Sequence, residues 1–345
     1  MTIARADPAK TAALIYNPIK VDPEKLRALV ERVSAEEGWA APMFFETTVD
    51  DLGQHVTTQA LDAGAAAVLV AGGDGTVRAV AHSMTATGVP LSIVPSGTGN
   101  LLARNLHLPL DDPETMVRAA FVGDTHPVDV GFASLTRADN SQEEHAFVVM
   151  AGIGLDAAMI ANTNSKLKKT MGWVAYIDGA ARSLPTAQPF RVMYQLDDRR
   201  IQNAKVQSVL FANCGSLPAG IELIPEASIA DGRIDIAVIQ PRGPFGWIAV
   251  WRKVWWENSV LRRTKAGRRV LALRPRNTSI RFYAGESFDV ATRPGRPVQI
   301  DGDEFGEAIR MHCRLEAAGL LAALPEGHDT STLRQTLYQD GAAAE

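Results

Sequence analysis

Gly72-Gly73-Asp74-Gly75-Thr76 decides how this chain folds. The apolar run from Ala66 to Val70 enters it, and a segment of small residues from Val77 to Met84 leaves it. That order predicts a strand feeding a glycine turn at the start of a helix. Glycines permit positive φ and let backbone N–H groups approach a polyanion, while the helix N-terminus adds partial positive charge. Asp74 is the unusual member. A carboxylate among phosphate-binding amides is tolerable when it orients a metal, a water or a transferable proton. The turn therefore suits nucleotide chemistry as well as a change of direction.

Working outward, Ala13-Leu14-Ile15-Tyr16 reads as a strand ending at Asn17-Pro18. Asp22-Pro23 supplies an N-cap and first helical residue, with Leu26, Leu29, Val30 and Val33 following at helical spacing. Met43-Phe44-Phe45 is the next strand. A helix is expected from about Asp50, carrying Leu52, Val56 and Leu61 and ending near Gly64. After the glycine turn and its helix comes the strand Leu91-Ser92-Ile93-Val94. This β-α rhythm predicts a doubly wound parallel sheet in an α/β domain, with ligands at the carboxyl ends of the strands.

From about Val128 the texture becomes strand-rich. Phe190 to Leu196, Ile201 to Phe211, Arg233 to Ile239, Thr278 to Tyr283 and Val298 to Ile300 read as strands, with turns expected at Asp197-Asp198 and Pro294-Gly295. Helical stretches are expected near 156–184 and 245–263. The second domain is thus β-rich and mostly antiparallel, and the tail after Pro325 reads as loose.

With 345 residues, 46% of them hydrophobic, the chain can bury one large core or two medium ones. A net charge of −4 gives no global reason to expect nucleic acid. Cys214 and Cys313 match no metal spacing and read as buried thiols in a reducing compartment. No secretory leader or long apolar run is evident, so a cytoplasmic protein is expected, one still able to work at a membrane surface.

Pro95-Ser96-Gly97-Thr98-Gly99-Asn100 forms a second glycine turn, again directly after an apolar strand. Either turn alone is more often structural than functional. Two of them on neighbouring strand ends favour a nucleotide site, with Asn17 close by.

Taken together, these residues resemble the diacylglycerol kinase catalytic-domain family, whose soluble bacterial members are related to sphingosine kinases. The resemblance runs on through Gly152-Ile153-Gly154-Leu155-Asp156, the stretch 225–235 with its Asp231-Gly232, and Asp301-Gly302-Asp303. It implies an ATP-binding domain over 1–127, to which about 305–325 returns, a β-sandwich lipid domain over 128–304, a loose tail over 326–345, and an active site in the cleft between the domains. By the same resemblance Gly72, Gly73, Asp74, Gly75 and Thr76 hold ATP phosphates, while Asn17, Thr47, Thr48, Gly97, Thr98 and Asn100 line the nucleotide site. Asp74 helps organise Mg²⁺ and water. A structural Mg²⁺ falls to the Asp231 side chain with the carbonyls of Ser228 and Arg233, and hard oxygen ligands suit that ion.

The family's proton acceptor is usually the Glu of an Asp-Gly-Glu run; here the aligned residue is Asp303, followed by Glu304. Asp303 is favoured, because Glu304 points to the opposite face if the strand continues. Arg78, Ala79 and Leu101 stand where many members carry other polar or acidic residues, which points to weaker or narrower activity.

Trp247, Trp251, Val254 and Trp255 share one helical face, and Arg262, Arg263 and Arg268 follow among other basic residues. A lipid-surface contact and a core helix with a solvated loop are balanced readings of that segment. Lys166, Lys168, Lys169 and Trp173 repeat the pattern on a smaller scale. The expected activity is an ATP-dependent lipid kinase acting on diacylglycerol in phospholipid metabolism. A sphingoid base or a phosphatidylglycerol-type lipid is the alternative acceptor. An NAD kinase-like enzyme and a catalytically degenerate lipid- or nucleotide-binding regulator are the rival classes. Monomer and homodimer both remain open.

Overall fold

The computed structural model describes residues 10–154, 189–217, 221–222, 224, 227–240, 280–331 and 333. Two compact units divide the chain, Met1–Val128 with Ala318–Thr330, and Asp129–Ala317 with Ser331–Glu345. The returning segment of the first unit thus begins later than the expected 305–325.

The first unit alternates β1 (Ala12–Tyr16), α1 (Pro23–Glu36), β2 (Met43–Glu46), α2 (Gln54–Asp62), β3 (Ala67–Gly72), α3 (Asp74–Met84) and β4 (Pro90–Pro95), then α4 (Leu101–Asn105) and α5 (Pro113–Val122). β1, β3 and β4 are almost wholly buried apolar runs, as a parallel sheet covered on both faces requires. β1 pairs in parallel with β2 on one side and β3 on the other, and β3 pairs with β4. The strand order therefore reverses direction between β1 and β3, the position where doubly wound sheets open a ligand crevice. Beyond β4, Leu321 and Ala322 pair in parallel with Pro90 and Leu91, closing the unit with its returning segment.

Helix α1 starts as expected: Asp22 accepts the Lys25 N–H at 3.2 Å, Pro23 opens the helix, and Leu26, Val30 and Val33 are buried. Such a cap stabilises a helix by about 1 kcal/mol. Helix α2 departs from expectation. It begins at Gln54 rather than near Asp50, and Leu52 is 43% exposed ahead of it. The Asp51 carboxylate explains the shift: it accepts the N–H groups of Gly53, His55 and Val56 at 3.0, 3.1 and 3.0 Å, which holds 50–53 as a loop below the helix.

The strands continue as β5 (Asp124–Thr136), β6 (Gln142–Phe147), β7 (Met150–Ile153), β8 (Phe190–Leu196), β9 (Gln202–Val206), β10 (Ser208–Ala212), β11 (Ser216–Leu217), β12 (Ile221–Glu222), β13 (Ile234–Ile239), β14 (Ile280–Gly285), β15 (Ser287–Ile300) and β16 (Asp303–Leu324). Antiparallel pairing gives the order β14-β13-β10-β7-β15-β16 in the second unit. β8 and β9 branch from β15, and β5 and β6 from β16. β8 alternates strictly, with Phe190, Val192, Tyr194 and Leu196 inward, and β10 and β13 are buried throughout. Phe147, Phe211, Phe288 and Val298 lie in the core they share.

Two sequence expectations change here, and one strand is added. Ile201 to Phe211 is two strands broken at Gln207, since β9 pairs with β8 and β10 pairs with β7 and β13. Pro294-Gly295 is no turn between strands. It lies inside β15, where the register against β16 shifts between Ala291 and Arg296. That irregularity lets the first half of β15 pair with β8 and its last three residues with β7, as a strand passing between two layers must. β6 gave no strand signal because its first residues, Gln142-Glu143-Glu144, are exposed on a strand that, among the described residues, pairs with β5 alone.

The expected helices at 156–184 and 245–263, Leu155 and Asp156, and the residues Lys166, Lys168, Lys169, Trp173, Trp247, Trp251, Val254, Trp255, Arg262, Arg263 and Arg268 lie outside the described residues. Among the described residues no helix is long and apolar enough to cross a membrane. Cys214 and Cys313 are both free and buried, and burial pushes both thiols well up from their ordinary range.

Candidate nucleotide site and acidic turns

In the first unit the strand registers bring the expected residues to one level. The Thr47 N–H donates to the Tyr16 carbonyl at 2.9 Å, and the Asn17 N–H to the Ala71 carbonyl at 2.8 Å. Gly72 is paired with Pro95. Thr47, Asn17, Gly72 and the second glycine turn therefore stand side by side on the carboxyl ends of β2, β1, β3 and β4.

The two glycine turns lock onto each other. The Asp74 carboxylate accepts the Leu101 N–H at 2.6 Å, which also caps the short helix α4. A Cβ on Gly99 would run into that same carboxylate, and a Cβ on Gly97 would stand 3.0 Å from the Gly73 Cα. Asn100 takes φ 48°, and its side-chain oxygen accepts the Gly97 N–H at 2.9 Å to close the second turn. Thr98 is exposed on that turn, and the exposed Arg104 donates through Nε to the Gly99 carbonyl at 2.7 Å.

The reason for glycine in the first turn differs from the one the sequence suggests. None of Gly72, Gly73 and Gly75 is among the positive-φ residues. Gly72 is required for space, because a Cβ there would meet the Thr76 side chain at 2.6 Å. Gly73 faces the opposite condition: nothing lies within 4 Å of where its Cβ would be, at the N-cap of α3. That open volume beside a helix N-terminus is where a phosphate fits.

Thr47 is 5% exposed, and its hydroxyl has no hydrogen-bond partner in the folded chain. A buried hydroxyl left unmade costs on the order of 1–3 kcal/mol, so it fits a ligand that supplies the missing partner. Thr48 instead is exposed, and its hydroxyl accepts the Asp51 N–H at 3.0 Å. Asn17 accepts the Ile19 N–H through Oδ1. Arg78 is not on the surface: it is 7% exposed in α3.

In the second unit Asp231 sits in a tight loop, its carboxylate accepting the Arg233 N–H at 3.1 Å. The Ser228 hydroxyl donates to the Leu333 carbonyl, and the Arg233 guanidinium to the Ala284 carbonyl at 3.1 Å. Asp197, Asp231, Gly232, Arg233, Gly285 and Glu286 line an open cleft of about 570 Å³. Burial pushes the Asp231 carboxyl above its ordinary range and the nearby Asp129 charge pushes it further, against the Arg233 N–H, which favours the ion. A cation held by Asp231 and loop carbonyls relieves both effects, so the donor set fits Mg²⁺. No group of three His, Cys, Asp or Glu able to hold a metal occurs among the described residues.

Asp301-Gly302 is a two-residue hairpin loop between β15 and β16, with φ 48° and 88° and Ile300 paired with Asp303 across it. Positive φ at both positions is what Asp-Gly provides in a type I′ turn. Asp303 and Glu304 are both exposed at the start of β16.

Sequence reasoning passed over Asp129 and Asn213. Asp129 is 3% exposed and accepts the Gly232 N–H at 2.8 Å. Its signal was an acid inside the apolar run Val128-Asp129-Val130. Asn213 had no such signal.

Residues 11–133 match the diacylglycerol kinase catalytic domain, and residues 148–310 match the YegS C-terminal NAD kinase beta sandwich-like domain. A diacylglycerol kinase of Mycobacterium tuberculosis is 28% identical over 54% of this chain and 59% of its own length. A probable lipid kinase YegS-like of Pseudomonas putida is 29% identical over 59% of this chain and 65% of its own. The crystal structure of a putative diacylglycerol kinase from Bacillus anthracis shares the fold, with a TM-score of 0.68 at 19% identity over 95% of this chain and 100% of that one. Both domains are present, in that order: the chain carries a diacylglycerol kinase catalytic domain followed by a YegS C-terminal domain.

Proposed function

We propose that this chain transfers the γ-phosphoryl group of ATP to the hydroxyl of a lipid, with diacylglycerol as the acceptor and phosphatidic acid as the product. The observation that carries the reading is the pair of glycine turns closed on each other through Asp74, with open space at Gly73. The N–H groups at the start of α3 hold phosphate oxygens there, and the Thr47 hydroxyl finds its partner on the nucleotide. The lipid acceptor rests on the names of the relatives.

The acceptor oxygen forms a bond to the γ-phosphorus as the bond from that phosphorus to the β–γ bridging oxygen breaks, and ADP leaves. Asp303 accepts the proton from the attacking hydroxyl, since a carboxylate on an exposed hairpin is accessible to an incoming alcohol. Mg²⁺, when bound, supplies neutralising charge, and Asp231 with the carbonyls of Ser228 and Arg233 are the residues that would hold it structurally.

The test is transfer from γ-labelled ATP to diacylglycerol, sphingosine and phosphatidylglycerol in mixed micelles, with NAD as a control. Labelled phosphatidic acid is the expected product. Labelled NADP, or ATP binding with no labelled lipid, would overturn the reading.

A further inference from the structure

Asp301 is 5% exposed, yet it is a carboxylate, and the proposed chemistry gives it no task. Both of its oxygens accept backbone N–H groups. Oδ1 accepts the N–H groups of Val149 and Met150, each at 2.9 Å, and Oδ2 accepts the Val148 N–H at 3.0 Å. The Asp301 N–H in turn donates to the Met150 carbonyl at 2.8 Å. A buried carboxylate satisfied by three donors is a strong and directional anchor.

The anchored segment is itself held from its other side. Asn213 donates through Nδ2 to the carbonyl of Val148 at 3.1 Å and to that of Asp129 at 2.8 Å. The N–H groups of Asn213 and Cys214 both donate to the Val149 carbonyl, at 2.9 and 3.1 Å. Asp129 then takes the Gly232 N–H on its carboxylate. The segment 148–150 thus ties two acidic turns of the second unit together. One is the Asp301-Gly302 turn, two residues before the proposed proton acceptor, and the other is the Asp231-Gly232 loop.

We propose that Asp301 is a positioning residue: through its three bonds to the 148–150 backbone it fixes the hairpin that presents Asp303, and Asn213 fixes the segment to which it is bonded. The proposal rests on the reading of Asp303 as proton acceptor. Gly302 and Asp303 are exposed at the start of β16 and would otherwise be freer to sway, and a displacement of about 1 Å at a reacting group costs on the order of 100-fold in rate. Asp-Gly alone satisfies the turn, and Asn-Gly would satisfy it as well. Only the carboxylate satisfies three donors at once. Asp301→Asn therefore keeps the turn and replaces one acceptor by an NH₂ group facing an N–H.

The experiment is a double-mutant cycle on kcat with Asp301→Asn and Asp303→Ala, run beside amide hydrogen exchange of the same proteins. Asp301→Asn is expected to lower kcat about 10- to 100-fold with the KM for ATP unchanged, and to cost nothing further in the Asp303→Ala background. Exchange is expected to quicken at both 148–150 and 301–306. An equal further loss in the Asp303→Ala background would mean that Asp301 acts through the fold at large, and would overturn the proposal. So would faster exchange at 148–150 with 301–306 unchanged. If Asp303→Ala leaves kcat intact, the base assignment fails and the positioning proposal, which rests on it, falls too. If no lipid is phosphorylated at all, the functional reading fails, while the exchange pattern still decides whether Asp301 holds the hairpin.

Discussion

Asp74-Gly75 in the first unit and Asp301-Gly302 in the second are the same dipeptide used in opposite ways. At 74–75 the glycine has an ordinary backbone, the pair begins a helix, and the carboxylate reaches across to the Leu101 N–H. At 301–302 both residues take positive φ, the pair reverses a chain, and the carboxylate is buried against three N–H groups. The difference teaches that a short motif acquires meaning from its flanks. Small and apolar residues at helical spacing follow the first, whereas two strands pair across the second. In both places the carboxylate holds a neighbouring loop, and the residue proposed for chemistry in the second unit is the next acid along.

The sharpest way to break this comparison is to remove that next acid. Asp303→Ala is expected to lower kcat by about 10²–10⁴, the range for loss of a general base, with ATP binding unchanged. Glu304→Ala is expected to stay within a few-fold of wild type. Steady-state transfer kinetics, paired with ATP titration by calorimetry, checks both. The reverse pattern would move the base to Glu304 and with it the face of β16 that meets the acceptor.

Two glycines of the first unit separate space for the fold from space for a ligand. Gly99→Ala pushes a methyl group into the Asp74 carboxylate, so it is expected to cost about 1–3 kcal/mol of stability as overpacking does, and to weaken ATP binding as well. Gly73→Ala meets no atom within 4 Å and needs no unusual φ. It is expected to leave stability within about 0.5 kcal/mol of wild type while lowering ATP affinity at least as much. Urea unfolding and calorimetric titration of the two variants provide the test. Equal losses of stability would show that Gly73 serves the fold after all.

What could be read in advance follows from how local each signal is. The parallel sheet was legible because β1, β3 and β4 are short apolar runs punctuated by Asn-Pro and glycine turns, and each such signal lies within a few residues. Gly72 to Thr76 and Pro95 to Asn100 were legible for the same reason, though the locking contact from Asp74 to Leu101 was not, since it joins residues 27 apart. Asp51 illustrates a subtler miss. It lies where a helix was expected to begin, but its carboxylate serves three N–H groups above it and moves the start to Gln54. In the second unit β15 hid in plain view because Pro294-Gly295 has the composition of a turn and the setting of an irregular strand. The partners of Asp301 are more than 150 residues away in sequence, and no pattern of spacing announces them.

Asp51 offers a smaller effect that still bears on the nucleotide side of the comparison. It caps α2 and also shapes the loop after Thr47, for the Thr48 N–H donates to the Asp51 carbonyl and the Thr48 hydroxyl accepts the Asp51 N–H. Asp51→Ala is expected to cost about 1 kcal/mol, the usual worth of such a cap, and to weaken ATP binding several-fold through Thr47. Asp51→Asn is expected to recover part of both. Thermal unfolding with and without ATP measures the two losses separately; a variant less stable but equally able to bind ATP would detach the loop from the site.

Asp231→Asn carries the smallest expected effect and the most telling sign. The folded chain holds the Asp231 carboxyl above its ordinary range, first through burial and then through the Asp129 charge, so the folded state binds that proton more tightly than the unfolded chain does. Stability from this group is therefore complete below the unfolded value and falls as pH rises through the folded one. At neutral pH the ionised carboxylate destabilises the metal-free protein, and Asn removes that repulsion while keeping an acceptor for the Arg233 N–H. The metal-free variant is expected to be slightly more stable than wild type at pH 7, with the advantage vanishing near pH 3. Added Mg²⁺ is expected to reverse the order, because a bound cation favours the charge that the empty loop penalises. Thermal unfolding of both proteins across pH, with EDTA or with Mg²⁺, decides it. A variant less stable than wild type in EDTA at pH 7 would make Asp231 a structural carboxylate like Asp301, and would leave the second unit with acids that only hold turns.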